Sequence, residues 1–225
     1  MKLEIVSASR HSEEEFWNSC PLGISLKRIA WDGRLIPRIT FSNRCGLPAV
    51  YNERIALAED GSILVFMHDD VWIDDYFFYQ RITEGLERFD IIGVAGNRRR
   101  VDRQPAWAFK NADLIWDDRL NLSGAVAHGK HPFGRVSRYG DVPAECELLD
   151  GCFLAAKKSL LFSSGSFFDD RFEFHFYDMD FCRTARLKAL RLGTWPICLT
   201  HRSGGNFGSE EWKKSYMNYL EKWGA

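Results

Sequence analysis

The first part of the chain alternates between short apolar runs and segments with helical spacing. Leu3 to Ala8 is an apolar-rich run that gives way to Ser9-Arg10-His11, the pattern of a strand leaving its sheet through a polar loop. A second extended segment, Arg34 to Phe41, is followed by Ser42-Asn43 and the turn-rich Cys45-Gly46-Leu47-Pro48. Ala49 to Ala58 carries Val50, Ile55, Leu57 and Ala58 among polar residues, which predicts a helix stopping at Asp60-Gly61. Ser62 to Met67 predicts a buried strand. Tyr76 to Arg88, with Phe77, Ile82 and Leu86 on its apolar side, predicts a helix, and Asp90 to Ala95 another strand. Strands alternating with helices imply a layered α/β sheet with a largely parallel core.

From Gly96 to Glu147 no period is sustained, and a long irregular stretch in a compact domain is usually functional or mobile. Regularity returns as a strand over Leu148 to Ala156, then a turn at Ser163-Ser164-Gly165-Ser166. Met179, Cys182, Ala185 and Ala189 form one helical face, with Gly193 placed to stop the helix. Thr194 to Thr200 is the following strand. Ser209, with Glu210 and Glu211 behind it, caps a terminal helix carrying Trp212, Tyr216, Leu220 and Trp223.

Composition narrows the function classes. The 225 residues are 45% hydrophobic and 27% charged, ordinary for a globular domain with a substantial core. Thirty Lys and Arg against thirty-one Asp and Glu leave no electrostatic footprint of a nucleic-acid binder. No stretch has the apolar length of a transmembrane segment, and Met1 to Val6 lacks the pattern of a signal peptide. Six cysteines without a C-x-x-C pair, mostly inside apolar runs, suit free thiols in a reducing compartment, so a cytoplasmic location is expected.

Three clusters could carry chemistry, each where open α/β sheets place their ligands, past the C-terminal ends of strands. His68-Asp69-Asp70 follows a buried strand. Two adjacent carboxylates repel unless a cation or hydrogen bonds compensate, so they either share a divalent metal with a diphosphate or cap the next turn in water. His201 stands before Arg202-Ser203-Gly204-Gly205 and is either a metal ligand beside a phosphate-admitting turn or a hydrogen-bonded structural residue. Asp178, at the start of the Met179 helix, is either an N-cap or a general base kept ionised by the helix N-terminus. Asp180 reads as structural, within i+3 reach of Arg183. Arg98-Arg99-Arg100 with Arg103 is either an acceptor-phosphate site or a solvated loop. Neither a dinucleotide fingerprint nor a P-loop is present, and no Cys/His set has zinc-finger spacing.

Together and in order, these pieces resemble the family 2 type of glycosyltransferase. The resemblance runs through Asn43, Gly46-Leu47-Pro48-Ala49-Val50-Tyr51-Asn52-Glu53, the segment Ser62 to Val71 with its Phe66-Met67-His68-Asp69-Asp70-Val71 motif, Leu149 to Ala155, Phe168-Asp169-Asp170-Arg171-Phe172, Tyr177 to Arg183, and Gly193 to Gly205. It covers roughly residues 1 to 208. It implies an α/β protein of the GT-A (Rossmann-like nucleotide-diphospho-sugar transferase) fold, with a mixed, mostly parallel central sheet flanked by helices.

What the resemblance implies for organisation is a single domain over 1–225, with a nucleotide-binding half (1–95), an acceptor-binding half (96–208) and a C-terminal helix (209–225). For chemistry it implies a metal-dependent, inverting transfer from a nucleotide-sugar donor, a UDP-sugar by preference, to a carbohydrate or other hydroxyl acceptor. Asp70 and His201 would hold Mn2+ or Mg2+, and Asp178 would be the base. Ala8, Ser9, Asn43, Asn52, Asp69 and Asp150 would line the donor and acceptor sites. Two departures stand out: Tyr177 replaces the family's Glu before the base, and His68 replaces Asp at the first motif position, which makes His68 a bystander. The alternatives are a nucleotide-sugar-binding protein with impaired catalysis and a sugar-phosphate nucleotidyltransferase, though Val6 to His11 lacks the latter's glycine-rich loop.

Overall fold

The computed structural model describes residues 1–205 and 207–224. Its N-terminal part runs β1 (Leu3–Ala8), α1 (Glu13–Ser19), α2 (Pro21–Arg28), β2 (Leu35–Thr40), α3 (Leu47–Leu57), β3 (Ile63–Met67), β4 (Val71–Ile73) and α4 (Phe78–Arg88). Next come strands alone: β5 (Ile91–Gly93), β6 (Ala95–Asn97), β7 (Leu122–His128), β8 (Arg135–Gly140), β9 (Ala144–Cys146), β10 (Leu148–Leu149) and β11 (Phe153–Lys157). The rest is α5 (Lys158–Ser164), α6 (Tyr177–Leu187), β12 (Leu192–Thr194), β13 (Leu199–His201) and α7 (Glu210–Trp223).

The main sheet has the order β2-β1-β3-β11-β5-β12-β9. Its pairings set β2, β1 and β3 in one direction, with β5 and β12 parallel to them and β11 and β9 running against. The expected mixed sheet flanked by helices is therefore present: five of its seven strands share a direction, though half of its pairings are antiparallel, and α3, α4 and α5 pack on its strands. Every residue of β3 is buried, as its unbroken Ile-Leu-Val-Phe-Met run requires of a strand covered on both faces.

A second sheet, β10-β6-β7-β13-β4 with β8 on β7, was not legible in the sequence. Where strands follow one another without an intervening helix, the chain repeatedly leaves one sheet and joins the other: β3 to β4, β5 to β6, β8 to β9, β9 to β10, β10 to β11, and β12 to β13. Three predicted strands, Asp90 to Ala95, Leu148 to Ala156 and Thr194 to Thr200, are thus each two short strands. In the last of these Pro196, which has no N–H to give a ladder, lies in the break. The stretch 96–147, expected to be irregular, holds β7, β8 and β9 and most of β6. Its small, polar and positively charged residues hide the period because β8 is half-open to solvent.

Two helices escaped the hydrophobic pattern. α1 begins with a complete capping box, Ser12 to Glu15, and α2 with Pro21 in its first turn, so both starts carried local signals. Gly193 does not stop the Met179 helix. α6 ends at Leu187 and the chain turns through Ala189, whose φ is 58°. Gly193 lies instead in β12, where a Cβ would come within 2.5 Å of the Phe89 ring. Met179, Cys182 and Ala185 do share the buried face of α6.

The terminal helix α7 is capped by Ser209 as expected, its side chain accepting from the Trp212 N–H. Its role is to set the start of α6. Phe176, the residue before α6, has a left-handed φ of 66°, an unusual state for an aromatic residue that surrounding packing must hold. Trp212, Tyr216 and Tyr219 of α7 hold it, with ring centroids 5.3, 5.5 and 5.2 Å from the Phe176 ring. Asp180 pairs with α7 rather than with Arg183: its Oδ1 lies 2.6 Å from Lys222 Nζ and accepts from Trp223 Nε1 at 2.7 Å. Arg183 donates to the Tyr219 hydroxyl.

Candidate active site

The sheet-switching breaks bring the candidate residues together. His68-Asp69-Asp70 lies between β3 and β4, Asp150-Gly151-Cys152 between β10 and β11, and His201 ends β13. These, with Ala8 at the end of β1 and Asp178 in the first turn of α6, line one cavity of about 660 Å³. That volume is typical of small-molecule sites.

Asp69 faces β1, where its Oδ2 accepts a 2.6 Å hydrogen bond from the Ser9 hydroxyl. Its backbone carbonyl is held from the other side by the Leu22 N–H at 3.1 Å and the Cys20 thiol at 2.9 Å. The α1–α2 hairpin, absent from the sequence reading, therefore fixes the loop that carries the two carboxylates. Burial among these groups, with the Asp69 charge beside it, pushes the Cys20 thiol up to about 12. Neither Asn43 nor Ser9 is among the residues lining the cavity; the Asn43 N–H donates to the Ser9 carbonyl, and its side chain closes a turn with Cys45.

Asp70 Oδ1 lies 3.2 Å from His201 Nε2 and 4.0 Å from His68 Nδ1, and the potential ligand atoms of these three residues all fall within 4.8 Å of one another. Burial works against the Asp70 carboxylate, but the hydrogen bond and charge of His201 outweigh it and hold its pKa well below the usual range. The same partnership raises His201 above an ordinary imidazole although burial opposes it. Burial and the neighbouring His201 lower His68.

His68 is not a bystander. Its Nε2 lies 2.8 Å from the Tyr177 oxygen, and that hydroxyl donates to the Gly151 carbonyl at 2.7 Å. If the Tyr177 hydroxyl gives its one proton to Gly151, its oxygen accepts from His68, which would place the imidazole proton on Nε2 and leave the Nδ1 lone pair facing Asp70. The two departures from the family pattern are thus in direct hydrogen-bond contact with one another.

Asp178 is the second residue of α6, not its N-cap. Its Oδ1 accepts from the Met179 N–H at 2.8 Å and its Oδ2 from the Gly151 N–H at 3.0 Å. The expectation that the helix N-terminus keeps it fully ionised at neutral pH does not hold. Burial, and then the charge of Asp150, outweigh the backbone donors and raise its pKa to about 7. Asp150 is itself fixed, accepting from the Cys152 N–H and the Trp107 indole N–H.

Asn52 is a correction. Its amide donates to the Phe168 carbonyl at 2.8 Å and accepts from the Phe168 N–H at 2.9 Å, so the side chain clamps α3 to the loop before α6 and does not line the cavity. Replacing Asn52 with Ala should cost about 1–3 kcal/mol of stability through the unpaired Phe168 groups, read from urea denaturation. Loss of nucleotide affinity with unchanged stability would return the residue to the site. The arginine run also lies off the cavity: Arg99 pairs with Asp117 and Arg100 with Asp102. His128 is a cavity residue the sequence reading missed; it pairs in register with His201 across β7 and β13.

The comparisons agree with this architecture. The chain matches the family described as "Glycosyltransferase like family" over residues 9–198. No curated protein matches it by sequence. Among solved structures, GalNAc-T7 crystallised with UDP, GalNAc and Mn2+ superposes with a TM-score of 0.57 at 11% identity, covering 99% of this chain and 48% of that one. This chain therefore spans about half of that relative. The catalytic domain of Drosophila β1,4-galactosyltransferase 7 with xylobiose gives 0.52 at 9% identity, covering 96% and 80% of the two chains. A mutant of the same Drosophila enzyme, with manganese, UDP-Gal and xylobiose, gives 0.52 at 8% identity over 96% and 79%. These likenesses are of fold, which is the GT-A fold, and the family match spans most of the sequence: the chain belongs to the glycosyltransferase-like family.

Proposed function

We propose that the protein is a divalent-metal-dependent, inverting glycosyltransferase that takes its sugar from a nucleoside-diphosphate donor, with UDP-sugars the first to test. The observation that carries the reading is the charge of the cavity. Four carboxylates, Asp69, Asp70, Asp150 and Asp178, line it, and none of its described lining residues is Lys or Arg. A diphosphate can enter such a cavity only with a cation that offsets both sets of negative charge.

The residues present fit that cation. Asp70, His201 and His68 offer one carboxylate and two imidazole ligand atoms within 4.8 Å of one another, and Tyr177 orients the His68 lone pair toward the group. A carboxylate and imidazoles together suit Mn2+ better than Mg2+, which prefers oxygen alone. When bound, the metal stabilises charge on the departing diphosphate. The chain's own groups do the rest. Asp69 and Ala8, which line the cavity, border the nucleoside, with Ser9 and Asn43 positioning them from behind. Asp178 takes the proton of the acceptor hydroxyl as that oxygen bonds to the anomeric carbon, and the bond from this carbon to the diphosphate breaks with its electron pair leaving on the diphosphate. The printed contents of the GalNAc-T7 and Drosophila structures, UDP with Mn2+ and UDP-Gal with manganese, support the choice of donor and metal.

A thermal-shift panel tests the reading. UDP, UDP-sugars, GDP and GDP-sugars with Mn2+ should raise the melting temperature for one nucleotide class and fail to do so with chelator. Ligand at about a hundredfold its Kd stabilises by about 2.7 kcal/mol. Slow Mn2+-dependent hydrolysis of that donor, measured as released nucleoside diphosphate, separates a transferase from a binding protein. A shift with no hydrolysis at any pH would sink the enzymatic reading.

A further inference from the structure

The wall of the cavity beyond Asp150 is built from aromatic rings that form an unbroken series. Trp107 meets Tyr139 edge-on at 4.9 Å, Tyr139 stacks with Trp116 at 5.9 Å and 16°, and Trp116 meets Phe109 at 5.2 Å. Phe109 then meets Phe207 at 5.1 Å, and Phe207 meets Trp212 at 6.4 Å. All six rings line the cavity. They come from three separate segments: the loop between β6 and β7, strand β8, and the start of α7 with Phe207 just before it. Small isolated bridges, Ala106 with Phe109 and Phe109 with Trp116, shape the loop.

Trp107 and Phe109 are buried and serve as foundation, whereas Trp116 stays 52% exposed and Phe207 41% exposed. An indole half-open to a cavity offers an apolar face that a ligand can cover. Tyr139 backs the Trp116 ring from one side. The Trp107 indole N–H donates to Asp150, so the aromatic wall is tied directly to the carboxylate whose charge acts on Asp178. Polar groups that can take or give hydrogen bonds stand around the rings: Ser137, Ser203, His128 and His175 all line the same space.

We propose that this wall is an acceptor subsite for a neutral saccharide, with the C–H face of one sugar ring stacked on Trp116. The proposal rests on the transferase reading only for the word acceptor; saccharide binding itself does not require it. A pyranose has one face of C–H groups, which carry partial positive charge and pack against the negative face of an aromatic ring, and a rim of hydroxyls. The cavity offers both complements. Charge selects the class further, because a phosphorylated sugar or a uronic acid would approach Asp150 and Asp178 with no Lys or Arg among the described lining residues to receive it. A plain lipid alcohol would leave the interspersed serine and histidine groups without partners.

The test is titration of intrinsic tryptophan fluorescence, in the presence of Mn2+ and UDP, with methyl glycosides and disaccharides and with their phosphorylated and uronic-acid counterparts. Neutral saccharides should bind and their anionic counterparts should bind more weakly. Trp116→Ala should weaken the neutral saccharide roughly tenfold, and Trp116→Phe should restore part of the loss. Ligand-detected NMR on the same variants reads binding without relying on the altered fluorophore. Circular dichroism melting checks that each variant is folded. Stronger binding of an anionic sugar or a lipid alcohol, or an unchanged affinity in folded Trp116→Ala, would overturn the proposal. Saccharide binding without donor hydrolysis would remove the transferase reading and leave this one standing.

Discussion

Asp178→Asn should reduce kcat by about 10²–10⁴-fold while nucleotide and Mn2+ binding persist, because the substitution removes the carboxylate proposed as the base, whose pKa is held near neutrality. Asn keeps a single acceptor oxygen. One of the two N–H groups that Asp178 now satisfies, at Gly151 or Met179, therefore loses its partner, at about 1–3 kcal/mol. Single-turnover measurements at saturating donor isolate the chemical step. Full turnover in a folded, donor-binding variant would dismiss Asp178 as the base.

The same carboxyl predicts the form of the pH dependence. A base with a pKa near 7 is protonated below that value, so kcat should climb with pH up to about 7 and level off above it. For stability the sign is opposite. The folded-state pKa is raised above the unfolded value of 3.8, so the native state binds the proton more tightly, and stability falls as pH rises between about 4 and 7. Asp178→Asn abolishes this term. Relative to the parent, the variant should therefore gain stability on going from pH 4 to pH 8, on the order of 2 kcal/mol, because the carboxyl retains an edge toward the open cavity. Denaturant midpoints of both proteins across that range measure the difference, in which other titrating groups cancel.

How the site could be read from the sequence depends on the distance over which each residue acts. Asp70, His201 and Asp178 stand at ends of regular elements, and strand ends border a common edge whenever strands share a direction. Their convergence was therefore legible. The second sheet was not, because its strands are two to seven residues long and the alternation along each is too brief to register. The role of His68 was invisible for a different reason. It depends on Tyr177, more than one hundred positions away, and on Gly151, whose carbonyl takes the tyrosine proton. Asn52 looked like a nucleotide contact by position in the family pattern, yet a side-chain amide can satisfy a backbone N–H and C=O pair wherever one comes near, and Phe168 supplies it. The raised pKa of Asp178, the proposed base, escaped the sequence reading because the helix terminus was counted while burial and the Asp150 charge were not.

The second large effect concerns the metal. Asp70→Ala should lower Mn2+ affinity by well over the 10–100-fold typical of losing a supporting residue, and with it abolish Mn2+-dependent donor hydrolysis. Titration of Mn2+ by electron paramagnetic resonance, without nucleotide, reads the loss directly. Two comparisons make the result specific. Asp69→Ala should weaken nucleotide binding yet spare Mn2+ affinity, since Asp69 is turned toward Ser9 and lies outside the three-residue group. Tyr177→Phe should weaken Mn2+ by about 10–100-fold without touching a ligand, because it removes the acceptor that places the His68 proton on Nε2. Protons compete for the same lone pairs, so parental Mn2+ affinity should rise with pH, and the competition extends upward because Asp70 raises the His201 pKa. Equal Mn2+ affinity in the parent and Asp70→Ala at every pH would mean that the three residues are only a hydrogen-bonded cluster, and that the diphosphate enters the acidic cavity by some other means.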